Sequence, residues 1–287
     1  MKSSRLVLYF VLVLFIASCS KEKEKPSPDP GIPALSMQNV SYGTETDQSM
    51  DVFLPAGRSV DTTKLIVLIH GGTWSSGDKA DFNSYITSLK QVRPGYAIVN
   101  LNYRLVSILG NKFPAQEEDV KKAIEFIVSK RQEYKISDQV ILLGASAGAH
   151  LATLQAYKYE STIKIKAFID FFGPTDLTKL YDDATNGQVQ TVLAFVTGTT
   201  PDINPDLYFN SSPINFVNAQ SPPTLILQGQ LDPLVPYRQS ENLKDKLESF
   251  GVPVSYFLYP NQGHGWEGDD LIDSFKRIDD FLKLYAD

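Results

Sequence analysis

The sequence predicts an α/β fold: a mostly parallel central sheet with helices on both faces and a small cap insertion. Three observations predict it. Apolar runs with no polar face recur at 65–69 and 140–143, and such runs mark strands covered on both sides. Segments with helical apolar spacing alternate with them, which argues for parallel strands joined by crossover helices. One strand also empties through Gly144-x-Ser146-x-Gly148 directly into a helix. That turn is so tight that only glycines fit two residues either side of Ser146.

Taken in order, 39–43 and 50–54 read as short strands joined by a polar turn. The run 65–69 is a buried strand that ends in His70-Gly71-Gly72-Thr73-Trp74. A helix over 81–92 leads to a strand over 96–101, followed by Asn102-Tyr103-Arg104. Pro114 suits the first turn of a helix whose apolar positions Val120, Ala123, Ile124, Ile127 and Val128 share one face. After the strand 140–143 and its helix 150–156 comes another strand, 167–172. Between 178 and 221 the alternation lapses, with one helix near 189–196, and this stretch reads as an insertion over the top of the sheet. A strand over 223–228, a helix over 240–250 ended by Gly251 and a last strand over 254–259 follow. The closing helix carries Leu271, Phe275, Ile278, Leu282 and Tyr285 as one apolar stripe. We therefore expect one domain over 36–287, with a cap at 178–221.

The first 35 residues stand outside that domain. Lys2 and Arg5 precede an apolar stretch, 6–16, too short for an ordinary membrane span. It ends in Ile16-Ala17-Ser18-Cys19, which resembles the lipobox of bacterial lipoproteins, so residues 1–18 read as a signal peptide and Cys19 as the lipidation site. Alternating charge and closely spaced prolines make 19–35 an extended tether. The expected location is the bacterial cell envelope, lipid-anchored, at the outer membrane or cell surface more than the inner membrane. Cys19 is the only cysteine, so its modification leaves no thiol for cysteine catalysis. The chain has 43% hydrophobic and 21% charged residues, ordinary for a globular protein, and its net charge of −6 leaves no basic footprint for nucleic acid.

A serine hydroxyl is a poor nucleophile at neutral pH and needs a base, which in turn needs orienting. Three histidines exist. His70 ends a strand beside two glycines and is expected to pack beneath that loop. His150 lies one helical turn past Ser146 and is expected to be structural. His264, in the glycine-flanked Asn261-Gln-Gly-His-Gly-Trp266 loop after the last strand, is the base by elimination and by position. Asp232 comes straight off the strand 223–228 and is the orienting acid. Loops at the carboxyl ends of parallel strands converge on one crevice, so the order Ser, Asp, His is meaningful. Backbone N–H groups of the His70–Trp74 loop, together with that of Ala147, are placed to receive a developing oxyanion.

These motifs resemble the α/β-hydrolase superfamily, near the hormone-sensitive-lipase-like carboxylesterases and closest to the feruloyl/acetyl-xylan esterase-like group. That group's elbow reads G-x-S-A-G-A-H-L-A, as Gly144 to Ala152 does here. His70-Gly-Gly-Thr-Trp74, Tyr103-Arg104, Gly173-Pro-Thr-Asp-Leu177, Ser212-Pro-Ile214 and Asp232-Pro-Leu-Val-Pro236 also match. The resemblance implies a serine esterase with catalytic Ser146, Asp232 and His264, and with Gly72, Thr73 and Ala147 as oxyanion donors. Two positions depart from the pattern. Gln228-Gly229-Gln230 stands where His-Gly-Asp is usual, and Thr73 stands where lipase-like members have a third glycine.

No metal or organic cofactor is expected, since no His/Asp/Glu cluster has ligand spacing. Trp74, Tyr103, Tyr237 and Trp266 are candidate pocket residues for a sugar or aromatic group. The short cap and the bulk of Thr73 favour a short acyl group, and we expect an acetyl or feruloyl ester on a plant polysaccharide fragment. The same machinery also serves amides, as in arylformamidases or peptidases, although peptidases of this fold carry an extra gating domain for which the chain is too short. A surface binding protein that has lost catalysis is the third reading, against which the ordered triad argues.

Overall fold

Wholly apolar runs such as Leu65–Ile69 are stable only where both faces are covered. They form the middle of one eight-stranded sheet in the computed structural model, which describes residues 31–159, 163–184 and 187–287. Its strands are β1 (Leu35–Ser41), β2 (Ser49–Leu54), β3 (Leu65–Ile69), β4 (Ala97–Leu101), β5 (Val140–Ala145), β6 (Ile165–Phe171), β7 (Thr224–Gly229) and β8 (Val254–Tyr259). Their spatial order is β1-β2-β4-β3-β5-β6-β7-β8. β2 runs antiparallel to both its neighbours, β1 and β4, at one edge, and every other pairing is parallel. Ile69 pairs with Gly144, Gly144 with Asp170 and Gly229 with Tyr259, so the loops that follow these strands leave from one edge of the sheet.

The described helices are α1 (Asn83–Val92), α2 (Ala115–Ser129), α3 (Arg131–Tyr134), α4 (Ala147–Tyr157), α5 (Leu177–Asp182), α6 (Gly187–Thr197), α7 (Pro205–Asn210), α8 (Arg238–Ser249) and α9 (Gly268–Tyr285). The alternation of β3 shows the two layers: Leu65, Val67 and Ile69 join the core under α2, α4 and α8, while Ile66 and Leu68 face α1 and α9. Each such side chain, fully buried, contributes roughly 1.5–3 kcal/mol. The α9 stripe is as periodicity predicts, with Phe275, Ile278 and Leu282 buried and Asp280 and Lys283 outside.

Three expectations need correction. The first strand occupies Leu35–Ser41, not 39–43, because its residues are mostly exposed and carry little apolar signal. The helix expected over 81–92 is divided: Asp78 caps a 3-10 turn, Lys79–Phe82, and α1 starts only at Asn83. The stretch between β6 and β7 holds α5, α6, α7 and a further 3-10 turn, Pro213–Phe216, where one helix was expected. Those extra helices are of six residues or fewer, below the length at which periodicity shows.

The leader and Cys19 lie outside the described residues. The end of the expected tether is docked on the domain: the carbonyl of Ile32 accepts from the Gly57 N–H at 2.9 Å, and that of Pro33 accepts from Arg58 Nη1 at 2.5 Å.

Candidate active site

Close packing at the elbow dictates its glycines. A Cβ on Gly144 would lie 2.4 Å from the Gly148 carbonyl oxygen, and one on Gly148 would lie 2.0 Å from that of Ile69. Between them Ser146 takes a positive φ of 53°, a cost that a non-glycine residue accepts only where its surroundings hold it. Its N–H donates to the Phe171 carbonyl on the neighbouring strand, and α4 begins at the next residue.

His264 and Asp232 arrive on two loops stitched to each other. The N–H of Leu231 donates to the Gln262 carbonyl at 2.9 Å. A Cβ on Gly229 would strike the Gly263 carbonyl at 2.1 Å, so the acid loop approaches the base loop only with glycine there. The result is a continuous hydrogen-bond chain. Ser146 Oγ lies 2.8 Å from His264 Nε2, and His264 Nδ1 lies 2.6 Å from Asp232 Oδ2. Asp232 is buried, and its other oxygen accepts the N–H groups of Leu234 and Val235, each at 2.9 Å. With both oxygens engaged, the carboxylate cannot rotate away from the imidazole. Phe172, itself at φ 45°, packs against the His264 ring with centroids 4.8 Å apart.

The predicted oxyanion residues meet at the same point. Gly72, Thr73 and Trp74 have consecutive positive φ values of 108°, 52° and 59°, which turns successive N–H groups to one side of the loop. The N–H groups of Gly72, Thr73 and Ala147 donate to no partner among the described residues; Ala147 opens α4, where helix geometry leaves N–H groups unpaired. Nucleophile, base, buried acid and free donors together can do acyl transfer.

The other two histidines are structural. His70 Nδ1 donates to the Gly71 carbonyl at 2.7 Å, its ring stacks on Tyr103 at 4.4 Å, and burial pushes its pKa down. His150 Nε2 donates to the Ser211 carbonyl at 2.7 Å, and Nδ1 accepts from the Trp74 indole at 3.2 Å. Burial lowers the His150 pKa to about 4, so the ring is neutral.

Of the four aromatics expected to line a pocket, only Trp74 does so. Tyr103 is 1% exposed and donates its hydroxyl to the His70 carbonyl, which makes it a support for the oxyanion loop. Trp266, 8% exposed, donates to Ser274 Oγ and packs among Phe171, Phe172 and Tyr259. Tyr237 is half-buried beside the start of α8 and lines neither cavity at Ser146. For Tyr103 and Trp266 a flanking position in sequence is an inward position in the fold.

Sequence reasoning missed Gln228. It is wholly buried at the end of β7, donates from Nε2 to the Val235 carbonyl at 3.2 Å and to Asp232 Oδ2 at 3.3 Å, and accepts from Ser240 Oγ at 2.9 Å. Its departure from the usual His-Gly-Asp was the one available signal. Asp81 and Tyr85, which also border Ser146, were read only as part of a helix.

Comparison with known proteins agrees with this architecture. The BD-FAE family model matches residues 50–247. Esterase LipQ of Mycobacterium tuberculosis is 29% identical over 215 residues, covering 71% of this chain and 50% of LipQ, so the chain spans about half the length of the curated relatives it matches. Dipeptidyl aminopeptidase BIII of Pseudoxanthomonas mexicana is 23% identical over 86% of this chain and 38% of its own. Among solved structures, a truncated form of a carbohydrate esterase from gut microbiota superposes with a TM-score of 0.75 and 27% identity, over 90% of this chain and 99% of that one.

Proposed function

Because the chain belongs to the BD-FAE family, we propose that it is a serine carboxylester hydrolase working through Ser146, His264 and Asp232. The observation that carries the reading is the unbroken chain from Ser146 Oγ to His264 Nε2 and from His264 Nδ1 to Asp232. His264 takes the serine proton as Oγ attacks the ester carbonyl, and the N–H groups of Gly72, Thr73 and Ala147 receive the oxyanion. Collapse expels the alcohol, which takes the proton from His264 Nε2. A water, deprotonated by the same nitrogen, then attacks the acyl-serine, and the acid leaves as the serine regains its proton. Asp232 keeps the tautomer and stabilises the imidazolium throughout.

The substrate in this reading is a short-acyl or feruloyl ester of a plant polysaccharide fragment. The resemblance to a gut carbohydrate esterase over nearly the whole of that chain supports it. The test is hydrolysis of p-nitrophenyl acetate by the domain starting near Pro33. Activity that a serine-directed phosphonate and Ser146→Ala both abolish supports the reading; activity that survives either rejects the triad.

The reading extends to residues 1–18 as a lipoprotein signal, Cys19 as the lipidated residue, 19–35 as a tether and 36–287 as the catalytic domain, at the cell envelope. Several acyl chains on one residue anchor firmly where one chain binds marginally. Cys19→Ser should release the protein from membranes or stall its processing, and identical fractionation of wild type and variant would reject the anchor.

A further inference from the structure

Two cavities of opposite character open onto the Ser146 hydroxyl. One, of about 530 Å³ counted to its mouth, is roofed by Leu180, Gln188, Val189, Val192 and Leu193 of α5 and α6 and walled by Trp74 and Val235, a mainly apolar lining. The other, of about 830 Å³ counted to its mouth, is wider and bordered by Asp81, Phe82, Tyr85, Phe172 and the glycines of the oxyanion loop. Ester cleavage divides its substrate between two such sides. The alcohol leaves first and water must enter where it was, whereas the acyl group stays until the second step. The open side is therefore the alcohol side. A hydroxyl-rich alcohol also fits the roofed cavity poorly, since each hydroxyl buried there without a partner costs about 1–3 kcal/mol.

The open cavity offers such an alcohol two fixed polar groups. Asp81 is held by the Asp78 N–H, which donates to its Oδ2 at 3.0 Å, and its Oδ1 has no partner among the described residues. The Tyr85 ring is wedged edge-on against Phe82, Phe171 and Phe275 at 4.7, 5.3 and 5.4 Å, and its hydroxyl has no partner among the described residues. Asp81 is solvent-exposed and set by that capping hydrogen bond, Tyr85 is set by its ring packing, and neither free oxygen has a partner among the described residues.

We infer that Asp81 and Tyr85 are the recognition pair for a sugar leaving group, an acylated oligosaccharide held through its hydroxyls, while the α6-roofed cavity takes the acyl group. The inference rests on the ester-hydrolase reading above and deepens it.

The experiment compares kcat/KM for acetylated xylo-oligosaccharides, p-nitrophenyl acetate and p-nitrophenyl butyrate on the same preparation of each variant, so that ratios are independent of the folded fraction. Asp81→Asn and Tyr85→Phe should each lower the ratio of sugar ester to p-nitrophenyl acetate about tenfold, mainly through KM. Val192→Trp, which fills the roofed cavity, should lower the ratio of butyrate to acetate by about tenfold or more. Sugar ratios within twofold of wild type in both polar variants would overturn the inference. So would a wild type active on p-nitrophenyl acetate but inert on the oligosaccharide, and in either case the ester-hydrolase reading would survive. A Val192→Trp variant that loses the sugar ratio and keeps the butyrate ratio would reverse the two sides and overturn it as well. A wild type that hydrolyses no ester overturns both.

Discussion

Trp74 and His150 tie the His70–Trp74 loop to α4: the indole N–H donates to His150 Nδ1 at 3.2 Å, and His150 Nε2 passes the connection to the Ser211 carbonyl within the cap stretch. Three segments distant in sequence thus meet at one neutral imidazole. Trp74 carries a positive φ of 59°, as does Thr73 before it at 52°, so the loop needs an external hold. His150→Phe should leave two buried polar groups unpaired and cost about 2–4 kcal/mol. It should also lower kcat with little change in KM, because the proposed oxyanion donors lose their anchor. His150→Gln, which keeps an acceptor, should recover much of both. Denaturant titration and steady-state kinetics on the pair check this; a kcat unaltered in His150→Phe would make the contact packing alone.

The same residue gives acid sensitivity a definite window. Burial depresses His150 from 6.5 to about 4, so the unfolded chain binds its proton first as pH falls. The stabilisation is complete above pH 6.5 and is lost as pH drops through 4. Stability measured from pH 7 to 4 should decline in the wild type and decline less in His150→Gln.

For the proposed triad, Ser146→Ala and His264→Ala should each lower kcat by about four to six orders of magnitude, and Asp232→Asn slightly less. The variants should stay folded, as their thermal unfolding will show. Loss of comparable size in His150→Ala would instead place the base on α4.

Much of this was legible in the sequence. The strands β3 and β5 are apolar runs that only a covered strand accommodates, and the glycines of Gly144-x-Ser146-x-Gly148 are imposed by contacts of 2.4 and 2.0 Å. Chain order brought Ser146, Asp232 and His264 to one edge because parallel strands release their loops there. What was not legible depends on packing direction. Tyr103 and Trp266 flank loops that border the site, yet their side chains enter the core, and no spacing rule reports that. Gln228 likewise acts largely through three-dimensional neighbours, since besides the adjacent Gly229 carbonyl it bonds Asp232, Val235 and Ser240, four to twelve residues on.

Asp170 predicts a second, opposite pH effect. It is wholly buried on β6, one oxygen accepts the Gly173 N–H at 2.8 Å, the other has no partner among the described residues, and burial raises its pKa to about 7. The folded state holds this proton more tightly than the unfolded chain, so the stabilisation is full below the ordinary value of 3.8 and is lost as pH rises through 7. At about 1.4 kcal/mol per unit, the loss by pH 8 is on the order of a few kcal/mol. Asp170→Asn should remove that slope, so its melting temperature should gain on the wild type between pH 5 and pH 8. Parallel curves for the two proteins would mean that Asp170 is not the titrating group.

If Asp232 is the acid of the proposed triad, Gln228 is placed to position it. Its Nε2 is shared among the Gly229 and Val235 carbonyls and Asp232, and its Oε1 is fixed by Ser240, so the side chain braces the turn that aims Asp232 at His264. Gln228→Leu should lower kcat about tenfold at nearly constant KM, since one polarised donor to a charged acceptor is worth about 1.5 kcal/mol or more. Gln228→Glu sets a second carboxylate beside Asp232 and His264. If that carboxylate ionises, it favours the imidazolium and should move the acid limb of the kcat/KM profile to higher pH by about one unit. A packing role predicts neither effect. If Gln228→Leu lowers the melting temperature alone, and Gln228→Glu leaves the limb in place, the residue fills space behind the triad without orienting it.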